Sequence, residues 1–132
     1  MAVPILLVID DELGVRESLK MVFSSDFRVL EADSVEAALP QLETERPQVI
    51  LLDVLLPRTD GIAVLKRIKE MDPGCEVIML TAMQNRKVLD AASDFGAFDF
   101  VGKPFDIIDL RAKVNRALAK TVQSEREPVT QN

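Results

Sequence analysis

Five polar side chains of this sequence have the chemistry that phosphoryl transfer requires. Three are carboxylates, one is a hydroxyl and one is an ammonium, and each follows a short apolar run: Asp10, Asp11, Asp53, Thr81 and Lys103. If the runs are neighbouring parallel strands, the five side chains meet at one edge of a sheet. Adjacent carboxylates repel one another unless a cation joins them, and oxygen ligands without His or Cys suit Mg²⁺. The pattern predicts a site that holds a divalent metal and accepts a phosphoryl group.

Taken singly, most of these residues have ordinary structural explanations. Asp10 and Asp11 fit a solvated loop or a helix start, where negative charge is favourable. Thr81 fits a β-branched strand end, and Lys103 fits a surface lysine. Asp53 is more informative, because it ends a strongly apolar run and opens the frame Asp-x-x-x-Pro-x-x-x-Gly. The set is therefore more specific than any member of it.

The elements that position these residues alternate between short apolar runs and longer amphipathic stretches. The runs predict five strands, and apolar residues at helical spacing predict a helix after each of them. The strands are expected at residues 4–9, 27–32, 48–53, 76–80 and 98–101. Strict alternation implies right-handed crossovers and a parallel sheet with helices on both faces. We therefore predict an α/β, flavodoxin-like (βα)5 doubly wound sandwich with strand order 2-1-3-4-5.

Polar residues and prolines predict where the helices begin and end. Asp33 or Ser34 is expected to cap the second helix, Asp60 the third and Asp106 the fifth. Pro40 lies inside the apolar stripe of the second helix. It is expected to kink or shorten that helix, because proline removes a hydrogen bond and crowds the preceding turn.

Composition excludes several classes of function. The chain has 132 residues, of which 48% are hydrophobic, and this suits one folded domain with a real core. Sixteen basic and 22 acidic residues give a net charge of −6, which disfavours direct nucleic-acid binding. The sequence has no histidine, so Ser-His-Asp and zinc-His chemistry are excluded.

Location and domain limits follow from similar observations. No apolar run approaches the length of a membrane span, and the first residues lack the features of a signal peptide, so no membrane association is expected. Cys75 is the only cysteine; it excludes an internal disulfide and agrees with a cytoplasmic location. We expect a folded domain at residues 1–120 and a polar tail or linker start at 121–132.

Four motifs give the chain a family resemblance that extends from residue 4 to about 120. They are Val-Ile-Asp-Asp-Glu at 8–12, Leu-Asp-Val-Leu-Leu-Pro-Arg-Thr-Asp-Gly at 52–61, Leu-Thr-Ala at 80–82 and Gly-Ala-Phe-Asp-Phe-Val-Gly-Lys-Pro-Phe at 96–105. As a set, they resemble the receiver domain of a bacterial two-component response regulator.

The resemblance implies an acceptor and its metal ligands. Asp53 would be the phosphoacceptor. Asp11, Asp53 and the backbone carbonyl of Leu55 would bind Mg²⁺, and Asp10 would assist through water.

The resemblance also implies residues that contact the phosphoryl group and transmit its arrival. Thr81 and Lys103 would contact the group, and the small Ala82 would leave space for it. The peptide bond between Lys103 and Pro104 would be cis. Phe100 would be the switch aromatic that rotates inward as Thr81 moves.

The same resemblance implies partners outside this chain. The phosphoryl donor would be a phosphohistidine on a sensor histidine kinase or a phosphotransfer protein, because this sequence has no histidine. The face formed by the fourth helix, fifth strand and fifth helix would signal to an effector, as in transcription regulation, or form a homodimer. We expect a phosphoacceptor signalling switch rather than an enzyme. The domain would catalyse its own phosphorylation and slow dephosphorylation, so whether it is called catalytic is partly a matter of definition.

Three positions depart from the commonest pattern of that family or vary within it. Phe100 lacks the hydroxyl of the more common tyrosine. Leu55 and Met83 occupy positions that flank the attacking water during loss of the phosphoryl group, and both are apolar here. Since neither can orient water, we expect slow self-dephosphorylation.

Three other classes of protein remain as alternatives, and each fits less well. Haloacid-dehalogenase-like phosphatases need a second Asp two residues after the nucleophile, but Glu12 follows Asp10 at that spacing. A flavodoxin-like nucleotide binder needs a phosphate-binding loop after the first strand, where this chain has acids. A purely structural interaction domain leaves the shared position of Asp53, Thr81 and Lys103 unexplained.

Overall fold

Five strands and five helices alternate along the computed structural model of the chain, which describes residues 3–82 and 85–126, with side chains described as far as residue 121. The strands are β1 (Ile5–Ile9), β2 (Arg28–Ala32), β3 (Val49–Asp53), β4 (Glu76–Thr81) and β5 (Asp99–Gly102). The helices are α1 (Leu13–Phe23), α2 (Val35–Glu45), α3 (Gly61–Met71), α4 (Arg86–Asp94) and α5 (Ile107–Arg126).

The strands form one parallel sheet in the order β2-β1-β3-β4-β5, which confirms the predicted fold. β1 is the neighbour of both β2 and β3, so the direction of winding reverses between β1 and β3. All five residues of β3 are buried. This explains its uninterrupted apolar run, because a central parallel strand is covered on both faces.

Alternate residues of the central strands enter two separate cores. Leu7 and Ile50 lie in a core on the α2 and α3 side, together with Leu65. Leu6 and Leu51 lie in the core on the α1 and α5 side. This alternation follows from the period of two in a strand. Each fully buried aliphatic side chain contributes roughly 1.5–3 kcal/mol, so the two cores hold the strand ends in a fixed relation.

Side-chain caps begin three of the helices at predicted positions. Ser34, rather than Asp33, caps α2, and its hydroxyl accepts a hydrogen bond from Ala37 N at 3.2 Å. Asp60 accepts from the backbone N–H of the second residue of α3 at 2.9 Å. Asp106 accepts from two backbone N–H groups in the first turn of α5. These bonds satisfy donors that have no partner inside the helix.

The expected shortening of α2 at Pro40 does not occur. The helix continues to Glu45, five residues beyond the proline. Ala38 and Leu42 are buried against the sheet on either side of Pro40, so packing holds the helix through the missing hydrogen bond. The Thr44 hydroxyl also donates to the carbonyl of Pro40 at 2.9 Å.

The last helix is longer than the sequence indicated. α5 extends past Lys120 to Arg126, and Thr121 is buried. The limit of the domain at residue 120 stays a prediction. In the described part of the chain, every helix is too short or too polar to traverse a lipid bilayer.

Candidate functional site

The sheet brings four of the predicted site residues to one edge. Asp10 directly follows β1, Asp53 ends β3 and Thr81 ends β4. Lys103 directly follows β5. Strands β1, β3, β4 and β5 are adjacent in that order and parallel, so their carboxyl ends open on the same side, at the switch point between β1 and β3.

The three predicted carboxylates form one cluster. Each of Asp10, Asp11 and Asp53 offers an oxygen, and these oxygens lie within 4.8 Å of one another. Asp10 is fully buried and Asp53 is 4% exposed, whereas Asp11 is exposed. Buried carboxylates require hydrogen bonds or a cation to compensate for lost hydration. The cluster therefore offers carboxylate oxygens, the kind of donor that Mg²⁺ prefers, and one of the three carboxylates is open to solvent.

Local backbone hydrogen bonds orient the two buried carboxylates. One Asp10 oxygen accepts from Glu12 N at 2.9 Å, and one Asp53 oxygen accepts from Leu55 N at the same distance. Each bond spans two residues, so each acid fixes the turn that follows its own strand. Arg16 adds a bond from its guanidinium to the carbonyl of Asp10 at 2.8 Å. No motif marks Arg16 in the sequence, because its contact with Asp10 depends on how α1 lies against β1.

Lys103 connects the acids. Its Nζ lies 2.7 Å from Asp10 Oδ2, 3.1 Å from Glu12 Oε1 and 3.4 Å from Asp53 Oδ2. Its backbone N–H donates to the carbonyl of Thr81 at 2.8 Å, and its peptide bond to Pro104 is cis. The sequence predicts that Lys103 and Asp53 lie at the same edge of the sheet. It does not predict the contact between Lys103 and Glu12.

Burial and charge set the protonation of this group. Burial raises the pKa of the Asp53 carboxyl, and the Asp10 charge raises it further, against the opposing influence of the Leu55 N–H and Lys103. Burial by itself lowers the pKa of the Lys103 ammonium. The hydrogen bonds to Asp10 and Glu12, together with the carboxylate charges, outweigh burial and leave that pKa raised. Lys103 is therefore a fixed positive charge at neutral pH.

The other predicted residues lie around this centre. Thr81 is buried, and Ala82 is exposed and lines a cavity of about 730 Å³ together with Lys103. Leu55 is half exposed, two residues after Asp53. Met83 lies outside the described residues.

Phe100 lies in the strand beyond the site rather than in the site itself. Its ring is partly buried against the core on the α2 and α3 side. Its backbone carbonyl accepts a hydrogen bond from Lys113 Nζ of α5 at 2.9 Å. The strand that carries Phe100 is thus tied directly to α5.

Comparison with protein families gives an unambiguous match. The family model for the response regulator receiver domain matches residues 6–115. The chain belongs to this family. Receiver domains accept a phosphoryl group in two-component signalling and control an effector. They interact with histidine kinases or phosphotransfer proteins and bind Mg²⁺ at an acidic pocket.

Curated relatives support the same assignment. The chain is 35% identical over 114 residues to sporulation initiation phosphotransferase F of Bacillus subtilis, which covers 86% of this chain and 92% of that protein. It is also 35% identical over 118 residues to response regulator MprA of Mycobacterium avium, covering 88% of this chain and 51% of MprA. The chain thus spans about half the length of the MprA relatives.

Solved structures share the fold. A putative response regulator from Chloroflexus aurantiacus is 33% identical, with a TM-score of 0.82 over 89% of this chain and 99% of that one. NtrX from Brucella abortus is 29% identical, with a TM-score of 0.86 over 94% of this chain but only 28% of that chain. The receiver domain of a putative LuxO repressor from Vibrio parahaemolyticus has a TM-score of 0.90 at 24% identity, with coverage of 98% and 100%, and supports the fold alone.

Proposed function

We propose that Asp53 is the phosphoacceptor of this receiver domain. The observation that carries the proposal is the environment of its carboxylate at the end of β3. One oxygen accepts from Leu55 N, and the other lies 3.4 Å from Lys103 Nζ. Asp10 and Asp11 each offer an oxygen within 4.8 Å. Asp53 is therefore held in place beside both a fixed cation and the donor set of a metal.

Asp10, Asp11 and Asp53 would hold Mg²⁺, together with the backbone carbonyl of Leu55. All are hard oxygen donors, and Mg²⁺ characteristically retains several waters beside a small number of carboxylates. The bound ion would neutralise charge on the carboxylates and on the phosphoryl oxygens. Asp11 is exposed, which supports access from solvent.

The transfer step is a displacement at phosphorus. A carboxylate oxygen of Asp53 forms a bond to phosphorus as the bond from phosphorus to the donor imidazole nitrogen breaks. The electron pair of that bond stays on the imidazole of the partner protein. Lys103 donates hydrogen bonds to the phosphoryl oxygens, the Thr81 hydroxyl contacts one of them, and Ala82 leaves room. Positioning and charge stabilisation supply most of the rate, because the covalent step itself is simple.

The structural effect of phosphorylation would be transmitted through β5. Thr81 and Phe100 act as the switch, and α4, β5 and α5 form the face that a partner reads. The bond from Lys113 to the carbonyl of Phe100 supports a direct link between the switch strand and α5. This face controls an effector or forms a homodimer, and the donor is a cytoplasmic histidine kinase or phosphotransfer protein.

The proposed acceptor is tested by incubating the protein with Mg²⁺ and acetyl phosphate and measuring intact mass. We expect a gain of one phosphoryl group that hydroxylamine removes, because an acyl phosphate is susceptible to that nucleophile. Asp53→Ala should abolish the gain. Asp94→Ala removes an exposed carboxylate at the end of α4 and should leave the gain unchanged. No gain with Mg²⁺, or a gain that survives in Asp53→Ala, contradicts the proposal.

A further inference from the structure

Glu12 occupies the N-cap position of α1 but does not cap the helix with its side chain. No side-chain cap hydrogen bond is formed there, and the backbone N–H of Glu12 donates to Asp10. The carboxylate instead reaches Lys103 Nζ at 3.1 Å, although the two residues are 91 positions apart. The side chain of Glu12 is 60% exposed, so solvent has access to this ion pair.

The Lys103 ammonium already has three carboxylate partners among the described residues, and the longest of the three contacts is 3.4 Å, to Asp53. An ammonium carries three N–H groups, and here three carboxylates accept from it. A phosphoryl oxygen that binds Lys103 must therefore replace one of the three partners.

Glu12 is the partner that is replaced at the lowest cost. Asp10 is fully buried and lies closest to Lys103, so separating that pair leaves an uncompensated buried charge. Asp53 is itself the proposed acceptor. The exposed carboxylate of Glu12 regains water when it leaves, and exposed ion pairs of this kind are weak.

The cavity beside the site supports this order of replacement. Glu12 and Lys103 both line the space of about 730 Å³ that extends from Ala82 to Phe105. Of the three carboxylates that contact Lys103, Glu12 is the one found among the described residues that line this space.

We propose that Glu12 is a positioning residue that competes with the arriving phosphoryl group for Lys103. The inference rests on the proposed function of Asp53 and Lys103. Glu12 pairs with the Lys103 ammonium between transfers, and this pair must break for each transfer. Glu12 therefore slows phosphorylation by a small donor, because such a donor makes no other contacts with the protein that would help to displace the Glu12 carboxylate.

The test compares Glu12→Gln with Glu17→Gln, which removes the same charge from an exposed position on α1. With Mg²⁺ and acetyl phosphate at low ionic strength, Glu12→Gln should raise the rate constant of phosphorylation about two- to fivefold, the range expected for loss of an exposed ion pair. Added salt should reduce the difference, because it screens the pair in the parent protein. Glu17→Gln should match the parent.

A double-mutant cycle with Lys103→Met separates competition for Lys103 from a general effect of charge. Affinity for beryllium fluoride with Mg²⁺, measured at equilibrium, gives a second readout that needs no turnover. Glu12→Gln should tighten beryllium fluoride binding about two- to fivefold in the parent. It should have no effect in the Lys103→Met background.

Two outcomes overturn the proposal. One is a parent that is phosphorylated at Asp53 while Glu12→Gln shows no gain in rate or affinity. The other is an equal gain with and without Lys103, which indicates simple charge repulsion. Absence of phosphorylation in every variant instead contradicts the proposed function, so the two failures are distinguishable.

Discussion

Asp10 and Asp53 are buried acids whose geometry is set by their own turns and by one lysine. One oxygen of each carboxylate accepts a hydrogen bond from the backbone N–H two residues further along the chain. The other oxygen accepts from Lys103 Nζ. Burial and the Asp10 charge raise the pKa of the Asp53 carboxyl, so a nearby cation is needed to favour its ionised form. At the scale of single residues, this geometry supports the proposed binding of a metal and a phosphoryl group.

We expect Leu55 to influence how long the proposed phosphorylated state lasts. Its side chain is half exposed beside Asp53 and has no polar atom with which to orient a water molecule. We expect Leu55→Gln to speed loss of the phosphoryl group several-fold with little change in folding stability, as measured by the decay of the phosphorylated mass with Mg²⁺. Met83, the other apolar position, is tested in the same way.

Ile108→Gln is a suitable control for this decay, because Ile108 is an exposed apolar residue on α5. The hypothesis of slow dephosphorylation is contradicted if the phosphorylated parent has a half-life of seconds and polar substitutions at Leu55 and Met83 leave that half-life unchanged.

At the scale of elements, the close packing of α3 on the connection that follows β3 explains why a glycine stands at position 61, eight residues after Asp53. Gly61 begins α3 and packs against the backbone of Val54. A Cβ at Gly61 would lie 2.7 Å from the Val54 carbonyl oxygen. The backbone N–H of Val54 also donates to Leu80 O at 2.9 Å, which ties the connection to β4. Glycine is therefore required where α3 packs against the connection that follows Asp53, the proposed acceptor.

Gly61→Ala should destabilise the protein by about 1–3 kcal/mol, because backbone must move to admit the methyl group. We expect slower phosphorylation as well, since the displaced segment follows Asp53 directly. Denaturant unfolding and the rate with acetyl phosphate measure the two effects.

Gly14→Ala is the matched control for stability. Gly14 lies in α1, and an added Cβ would meet no atom of the surrounding described residues within 4 Å. It should raise stability by about 0.5–1 kcal/mol through helix propensity. Equal stability of the two variants contradicts the steric account of Gly61.

At the scale of the whole molecule, the acid cluster depends on the folded sheet, because Asp10 directly follows β1 and Asp53 ends β3. β1 and β3 contribute to both cores, so the acid cluster forms only when the sheet is complete. A metal that binds there binds the folded state alone and must stabilise it.

Mg²⁺ at a hundredfold excess over its dissociation constant should raise the free energy of unfolding by about 2.7 kcal/mol. Removal of Mg²⁺ with a chelator should reverse the gain. Asp11→Asn should weaken the effect because it removes the exposed ligand of the cluster, whereas Asp94→Asn should not. Thermal unfolding at constant ionic strength measures these changes in stability. An equal increase in stability with NaCl in place of Mg²⁺ argues against a specific metal site.

The periodic pattern of the sequence was sufficient for the fold. Strand limits at 4–9 and 48–53 differ by only one residue from Ile5–Ile9 and Val49–Asp53. Buried parallel strands are uninterrupted apolar runs, and polar residues end them sharply. The polar residues at these strand ends include the candidate site residues Asp53 and Lys103. They could be identified because the order of parallel strands brings their carboxyl ends to one edge of the sheet.

Only the tertiary structure decided which of these groups touch. The contact of Glu12 with Lys103 and the complete burial of Asp10 depend on how α1 and β5 pack around β1. Packing likewise carried α2 through Pro40, against the local preference of proline. Sequence thus determined the strands and the chemistry at their ends, since both depend on local residue type. Long-range packing decided the pairing and burial of charges, because these depend on neighbours that are distant along the chain.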